Sequence, residues 1–209
     1  MIKAVVFDLD DTLCPEIEYV KSGFNAIAEV LGDKSLGQKL MELFKENRFN
    51  VYQRAGFSES DCKHCIEIYR SHKPQIKLSK EVKETLISLK QKGYKLGIIT
   101  DGRPEGQWNK IYALDLKNYI DHIIVTDELG GVEFRKPNPK AYMLMKEKLE
   151  VEYNEMVYVG DNPAKDFIAP KALGMNSYCL DNPEGFYYMQ ENVDSSIKII
   201  KDITEILEL

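Results

Sequence analysis

Aspartates follow two short apolar runs of this 209-residue chain. They are Asp8 and Asp10 after the run at residues 4–7, and Asp161 and Asp166 after the run at residues 156–159. The carboxyl ends of the strands form the active-site edge of an open parallel sheet, so neighbouring strands would bring these carboxylates together. Two carboxylates ~4 Å apart repel each other by ~4 kcal/mol at an effective dielectric constant of ~20. The cluster therefore requires a cation, and a ligand set of oxygens alone suits Mg²⁺ better than Zn²⁺.

A hydroxyl and a lysine follow two further strand candidates. Thr100 ends one apolar run, and Lys136 comes after the next run and a loop. Lysine offers a point charge and threonine a hydrogen-bond donor to a phosphate group, and exposed loop N–H groups after the strands are further donors. We therefore expect Thr100, Asp101 and Lys136 to form a phosphate subsite beside the carboxylates.

The elements that would position these residues can be read from the hydrophobic pattern. Apolar runs rich in β-branched residues alternate with segments of helical periodicity, which is typical of parallel strands joined by crossover helices. The strand candidates are residues 4–7, 95–100, 122–125, 156–159, 177–180 and, more weakly, 197–200. A helix is predicted from its cap at Ser79 to about Lys92, with Gly93 as a left-handed exit, and another over residues 139–149. Because Pro170 lies inside the helical segment that starts near Pro163, we expect that helix to be kinked or restarted.

Residues 14–78 break the alternation, because a crossover connection needs only about a dozen residues. Apolar residues at helical spacing predict a helix from Ile17 to Leu31 and two more over residues 36–49 and 58–69. The predicted fold is thus α/β, a Rossmann-like parallel sheet with helices on both faces and an inserted all-helical cap. The core would comprise residues 1–13 and 79–209, and the cap residues 14–78.

Composition narrows the class of protein. The chain has 28 Lys and Arg against 34 Asp and Glu, a formal net charge of −6, with no long run of one sign, which argues against a nucleic-acid partner. The apolar amino terminus ends at Asp8, too early for a signal peptide or a membrane span, and no later run is long enough. The 4 cysteines lack disulfide-like spacing. We therefore expect a cytoplasmic protein with no membrane partner.

Four segments, in order, resemble the four motifs of the haloacid dehalogenase superfamily of hydrolases. They are Phe7-Asp-Leu-Asp-Asp-Thr-Leu13, Ile98-Ile-Thr-Asp-Gly102, Arg135-Lys-Pro-Asn-Pro139 and Val159-Gly-Asp-Asn-Pro-Ala-Lys-Asp166. A single D-x-D pair would be weak, but the ordered combination is specific. The resemblance implies that the insert is similar to the helical cap of the superfamily's phosphatases and phosphomutases, which closes over the site and reads the leaving group.

The resemblance also implies a role for each matching residue. Asp8 resembles the nucleophile that becomes an aspartyl phosphate, and Asp10 the general acid and base, whose backbone carbonyl also ligates the metal in such enzymes. Thr100 would bind a phosphoryl oxygen, and Lys136 would neutralise phosphoryl charge and orient Asp8. Asp161 would ligate Mg²⁺, with Asp166 as a supporting or direct ligand. The implied metal set is Asp8, Asp10, Asp161 and Asp166.

Asp10 also separates branches of the superfamily, because its dehalogenases lack an aspartate two residues after the nucleophile. The sequence is therefore interpreted as a Mg²⁺-dependent phosphatase of a small phosphorylated metabolite, acting through an aspartyl phosphate, as a monomer or homodimer. A phosphomutase and a non-catalytic phospholigand-binding protein remain as alternatives. The chain departs from the family pattern at Asp101, where asparagine is commoner, and at Pro163 and Pro170.

Three groups of residues outside the motifs have simpler interpretations. Cys62, His64, Cys65 and His72 could suggest zinc, but they lie on one predicted helix where Cys62 and Cys65 share a face and His64 does not, and we expect ordinary cap residues. The aromatic residues 186–188 indicate edge packing, a wall near the cap or a subunit contact. The cap cations Arg48, Arg54, Arg70, His72 and Lys73 could meet an anionic substrate group, although such side chains are usually solvated.

Overall fold

The computed structural model describes residues 1–186 and 194–209. Its strands are β1 Ala4–Phe7, β2 Lys95–Thr100, β3 His122–Val125, β4 Met156–Gly160, β5 Asn176–Leu180 and β6 Lys198–Ile200. They form one parallel sheet in the order β3-β2-β1-β4-β5-β6. Every strand candidate is present to within one residue at either end, and the predicted Rossmann-like α/β fold is confirmed.

The helices of the described residues alternate with these strands after the insert. They are α1 Glu16–Leu31, α2 Leu36–Glu46, α3 Val51–Arg54, α4 Glu59–Ser71, α5 Lys80–Gln91, α6 Pro104–Ala113, α7 Lys140–Leu149 and α8 Ile168–Leu173. The hydroxyl of Ser79 accepts the N–H of Val82 at 3.1 Å, and Gly93 has a φ of 86°, so both predicted ends of α5 are confirmed.

Two helical predictions differ in detail from the structure. The helix predicted over residues 36–49 ends at Glu46, because Asn47 is extended and Asn50 takes a left-handed φ of 54° before α3. Residues 163–167 form turns, and α8 starts only at Ile168, with Pro170 in its first turn. A proline fits there because first-turn N–H groups have no partner within the helix, so the restart is confirmed.

Both faces of the sheet are covered, as the alternation of side chains along β1 shows. Val5 and Phe7 pack with Leu86 of α5 on one face. Val6 packs with Tyr142 and Met145 of α7 on the other. A strand buried on both faces can present polar groups only beyond its ends, so the chemistry of this chain collects at the carboxyl edge of the sheet.

The four helices α1 to α4, residues 16–71, are called the helical unit below. They lie between β1 and β2 in the chain and have a hydrophobic cluster of their own, which includes Phe24, Ile27, Leu40 and Cys65. The unit starts a few residues after β1 ends, so it sits at the carboxyl edge of the sheet. None of the helices in the described parts of the chain combines the length and apolar character that crossing a bilayer requires.

Candidate active site

Three carboxylates converge at the carboxyl ends of β1 and β4. The two strands are neighbours with Phe7 opposite Val159, and the N–H of Asp8 continues the ladder with a 2.8 Å bond to the Val159 carbonyl. One oxygen from each of Asp8, Asp161 and Asp166 lies within 4.8 Å of the others, and all three residues are buried. The register of the strands thus brings together carboxylates that are about 150 positions apart in the sequence.

The turn after β4 directs Asp166 back beneath the strand end. The Oδ2 of Asp166 accepts the N–H of Asn162 at 3.0 Å. A side chain on Gly160 would collide with the Asp166 carboxylate, so only glycine allows this approach. The five-residue spacing between Asp161 and Asp166 therefore brings two carboxylates to the same place, one from the strand end and the other from the turn.

Lys136 is the cation at the centre of this cluster. Its Nζ lies 2.8 Å from Asp8 Oδ1 and 2.8 Å from Asp166 Oδ1, and it donates to the Tyr158 hydroxyl at 3.0 Å. Its side chain is 0% exposed. Burial by itself lowers the pKa of a lysine, but Asp166 and Asp8 outweigh it and raise the pKa of Lys136 well above its ordinary value. Lys136 is therefore a permanent charge.

A single lysine does not neutralise three carboxylates. Burial, with the negative charge of Asp166 as a smaller cause, raises the pKa of Asp8 to about 6 despite the opposing effect of Lys136. Burial, with the charges of Asp8 and Asp166, raises the pKa of Asp161 to about 8. The Asp161 Oδ2 is buried without a hydrogen-bond partner among the described residues. An oxygen-only donor set with excess negative charge and an unpartnered oxygen fits a hard divalent cation.

Thr100 is the last residue of β2, beside the cluster, and Asp101 follows it. The Thr100 side chain has no hydrogen-bond partner among the described residues, whereas that of Asp101 has several. The Thr100 Oγ1 is buried and has no hydrogen-bond partner within the described chain, which leaves a donor for a bound group. The Asp101 carboxylate accepts from Thr126 Oγ1 at 2.9 Å, the Lys136 N–H at 3.0 Å and Lys165 Nζ at 2.9 Å. Burial opposes ionisation of Asp101, but Lys136 and Lys165 outweigh it and lower its pKa. The carboxylate that departs from the family pattern thus holds the Lys136 loop in place.

The side chain of Asp10 lies outside the three-carboxylate cluster. Its Oδ1 is 2.6 Å from Lys110 Nζ, and its Oδ2 accepts from Gln107 Nε2 at 3.1 Å. The carboxylate of Asp10 therefore does not join the cluster, and the metal contact expected of Asp10 is through its backbone carbonyl. The carboxylate of Asp10 faces α6, on the side of the helical unit.

Several residues that were not predicted from the sequence contact the predicted ones. These are Thr12, whose hydroxyl lies 3.3 Å from Asp161, with Gln107, Lys110, Tyr158 and Lys165. The sequence of α6 does indicate two of them, because Gln107 and Lys110 lie on the buried side of the helix with Ile111. Two polar residues on the buried side of a helix indicate a buried polar partner, which here is Asp10.

The remaining candidates lie in or against the helical unit. Cys62 and Cys65 are buried and free, whereas His64 is exposed. His72 uses its Nδ1 for the Tyr69 carbonyl at 2.6 Å. Within the described ranges, the only group of three or more His, Cys, Asp or Glu side chains arranged to hold a metal is the aspartate cluster.

Phe186 connects the loop after β5 to the helical unit. Its ring centroid lies 5.6 Å from that of Phe44 and 4.1 Å from the Arg48 guanidinium, and its carbonyl accepts from Arg48 at 3.0 Å. Its N–H donates to the Asp11 carboxylate, which also accepts the N–H of Glu16, both at 2.8 Å. Phe186 thus forms a wall against the unit, while residues 187 and 188 of the predicted cluster fall outside the described residues.

Comparison with known proteins agrees with this geometry. A family profile described as haloacid dehalogenase-like hydrolase matches residues 5–180. A glyceraldehyde 3-phosphate phosphatase of Methanopyrus kandleri is 30% identical over 84% of this chain and 82% of its own. Another of the same name, from Methanothermobacter thermautotrophicus, is 27% identical over the whole of both chains.

Solved structures share the fold at lower identity. A haloacid dehalogenase-superfamily hydrolase of subfamily IA from Geobacter sulfurreducens superposes with a TM-score of 0.72 at 19% identity, covering 99% of this chain and 95% of the other. CbbY from Rhodobacter sphaeroides, in complex with phosphate, gives 0.66 at 21% identity over the whole of both chains. Profile, relatives and geometry lead to one conclusion: the chain belongs to the haloacid dehalogenase-like hydrolase family, as a member of its phosphatase kind.

Proposed function

We propose that this chain is a Mg²⁺-dependent phosphatase that hydrolyses a small phosphorylated metabolite through an aspartyl phosphate on Asp8. The observation that carries the proposal is the buried contact of Asp8 with Lys136 inside a carboxylate cluster that needs a further cation. The names of the curated relatives, which are phosphatases of small phosphorylated molecules, support the same class of reaction.

The contacts of Asp8 support its role as the nucleophile. Asp8 Oδ1 accepts from Lys136 and from the Leu9 N–H at 2.8 Å, which leaves Oδ2 to attack phosphorus and form the acyl phosphate. Lys136 offsets the negative charge of the transferring group, and the unpartnered Thr100 hydroxyl donates to one of its oxygens. Mg²⁺ held by Asp8, Asp161 and Asp166 would lower the repulsion between these carboxylates and the phosphate.

The position of the Asp10 carboxylate supports a role in proton transfer. It lies outside the carboxylate cluster and contacts α6, on the side where we propose that the leaving oxygen departs. There it protonates the leaving alkoxide and later takes a proton from the water that attacks the aspartyl phosphate. Lys110 and Gln107 hold it in that direction.

The domain division belongs to the same proposal. We take residues 1–13 and 79–209 as the catalytic core and residues 14–78 as a cap, because the helical unit has a separate hydrophobic cluster and meets the core at Asp11 and Phe186. A cytoplasmic location is favoured by four cysteines that are all free and buried.

The test is Asp8→Asn, measured as release of inorganic phosphate from p-nitrophenyl phosphate and from an alkyl phosphate with Mg²⁺. Loss of turnover to background is expected, because an amide is not a nucleophile here. The matched control is Asp115→Asn, the same change at an exposed position with a φ of 52°, which asparagine tolerates. Turnover that persists in Asp8→Asn would refute the assigned nucleophile. With a sugar phosphate as the substrate, isomer formation without phosphate release would establish the phosphomutase alternative instead.

A further inference from the structure

A charge pair crosses the end of the strand that leads to Asp8. The Nζ of Lys165 lies 2.9 Å from the Oδ2 of Asp101. Asp101 follows β2 and Lys165 lies in the turn after β4, and these two strands flank β1 in the sheet. Neighbouring strands are about 4.8 Å apart, so the two side chains bridge a gap of roughly 10 Å. The pair therefore spans the carboxyl end of β1, next to Asp8.

The two oxygens of the Asp101 carboxylate have different partners. Its Oδ1 accepts from Thr126 Oγ1 at 2.9 Å and from the N–H of Lys136 at 3.0 Å. An asparagine, the commoner residue of the family at this position, could accept both bonds with its one side-chain oxygen. Oδ2 accepts from Lys165, which the amide nitrogen of an asparagine could not do because it is itself a donor. Among the described contacts, it is that of Lys165 which requires a carboxylate at position 101.

The charge of Lys165 acts on the nucleophile as well. Burial and the charge of Lys136 oppose its ionisation, but Asp8, Asp166 and Asp101 outweigh them and raise the pKa of Lys165. Of these three carboxylates, Asp8 contributes most. Burial raises the pKa of Asp8, and the charges of Lys136 and Lys165 oppose this rise. The ammonium of Lys165 is therefore within electrostatic range of the carboxylate that we propose attacks phosphorus.

Lys136 is already engaged by the groups around it. Its Nζ lies within 3.0 Å of three oxygens, which belong to Asp8, Asp166 and the hydroxyl of Tyr158. An ammonium has three N–H groups, so a phosphoryl oxygen would compete with these partners for Lys136. The charge of the transferring group is spread over three oxygens, and the Thr100 hydroxyl can donate to one of them. We therefore expect a further cationic donor beside Thr100 and Lys136.

Lys165 has the exposure that such a donor requires. Its side chain is 26% exposed, whereas that of Lys136 is 0% exposed, so a phosphate group that enters from solvent can reach it. We propose that Lys165 binds the transferred phosphoryl group directly, as a second cation of the phosphate subsite, and that Asp101 directs its ammonium towards Asp8. Lys136 then holds the nucleophile, and Lys165 donates to a phosphoryl oxygen. Asp101 acts through Lys165 and is a positioning residue. This inference rests on the proposed phosphatase function.

The first test is Lys165→Gln, measured as the inhibition constant of inorganic phosphate against hydrolysis of p-nitrophenyl phosphate with Mg²⁺. We expect this constant to rise about tenfold, because a hydrogen bond from a charged donor is lost. The matched control is Lys3→Gln, which removes a lysine paired with Glu155 at the opposite edge of the same sheet and should leave the constant unchanged. A rise of less than about threefold in Lys165→Gln overturns the inference.

A double variant separates phosphate binding by Lys165 from mere neutralisation of Asp101. In Asp101→Asn/Lys165→Gln the asparagine amide can donate to the glutamine oxygen, so the contact remains while both charges are gone. Because the cation is missing, the inhibition constant of phosphate should stay more than about threefold above the native value. Recovery to within threefold would mean that Lys165 only neutralises Asp101, which contradicts direct binding. The double variant also serves as the test if Lys165→Gln alone does not fold.

A binding measurement distinguishes a failure of this inference from a failure of the proposed function. Calorimetric titration of the native chain and of Lys165→Gln with inorganic phosphate and Mg²⁺ needs no turnover. The variant should bind phosphate about tenfold more weakly. Equal binding, or no binding by the native chain, overturns the inference. If the native chain releases no phosphate from p-nitrophenyl phosphate or an alkyl phosphate while binding still depends on Lys165, the proposed function fails and the phosphate subsite stands.

Discussion

The Nζ of Lys110 lies 2.6 Å from the Oδ1 of Asp10 and 4.4 Å from the centre of the Tyr19 ring. Burial opposes the charge of Lys110, but Asp10 and Glu16 outweigh it and raise its pKa, so Lys110 is charged. A buried cation on α6 thus fixes the carboxylate that we propose as the proton donor to the leaving group. This contact joins the carboxyl edge of the sheet to a cavity between α6 and the helical unit, which Lys110 also lines.

Lys110→Met should slow the hydrolysis of alkyl phosphates more than that of aryl phosphates. An alkoxide needs a proton from a well-placed Asp10, whereas p-nitrophenolate leaves without one, and general acid catalysis is worth about 10²-fold or more. We expect kcat to fall about 10²-fold with glycerol 3-phosphate and only a few-fold with p-nitrophenyl phosphate. In an Asp10→Asn background, the same substitution should have little further effect on the alkyl substrate. Equal losses on both substrates would contradict a role through Asp10.

Lys136→Met should strongly destabilise the fold. It removes the buried partner of Asp8 and Asp166, and leaving a buried charge without its partner costs about 3–5 kcal/mol. Urea unfolding of the metal-free chain measures the loss. Adding Asp166→Asn to Lys136→Met should recover part of it, because one of the repelling charges is then gone. A loss of less than about 1 kcal/mol in the free energy of unfolding would show that the cluster is more accessible to water than in the structure.

Asp161→Asn should stabilise the metal-free chain at pH 8. Because the folded-state pKa of Asp161 is raised from the ordinary 3.8 to about 8, the folded state holds a proton that the unfolded state has lost. Its contribution to stability is therefore present below about pH 4 and is lost as the pH rises towards 8. With EDTA, Tm of the variant should exceed that of the native chain by about 2–4 °C at pH 8 for each kcal/mol of repulsion removed, and the difference should vanish near pH 4.

With Mg²⁺ at pH 8, we expect the native chain to have a higher Tm than Asp161→Asn. A ligand that binds only the folded state stabilises it by mass action. Mg²⁺ should raise Tm of the native chain more than that of Asp161→Asn. An equal rise in both would argue against Asp161 as a ligand.

Phe186→Ala should loosen the helical unit without unfolding the sheet. The substitution removes the ring that packs on Phe44 and Arg48, and for a half-buried phenylalanine the cost is about 2 kcal/mol. Hydrogen exchange should accelerate in α2 and leave β1 and β4 unaffected. Phe49→Ala is the control, since that side chain belongs to the same unit but is 77% exposed. Uniform acceleration over the whole chain would contradict a local role.

The sequence by itself determined the strands and the motif residues that follow them. A buried parallel strand must be a short apolar run, and the polar residues at its end must lie at one edge of the sheet, so Asp8, Thr100, Lys136 and Asp161 could be grouped without coordinates. Ser79 and Gly93 marked the two ends of α5, because a serine hydroxyl accepts an unpaired N–H at a helix start and glycine adopts the left-handed conformation at a helix end. Local rules sufficed wherever the determining partner was close in the chain.

Only the tertiary structure decided what each side chain contacts. Asp10 and Lys110 lie 100 positions apart, and Asp101 and Lys165 64 apart, so neither pair follows from periodicity or spacing. The same holds for the separation of the Asp10 carboxylate from the cluster of Asp8, Asp161 and Asp166. Side-chain direction at a strand end depends on the helices and loops packed over it. The sequence therefore placed the polar residues at one edge of the sheet, whereas the packing of α6 and the helical unit against that edge decided which of their side chains meet.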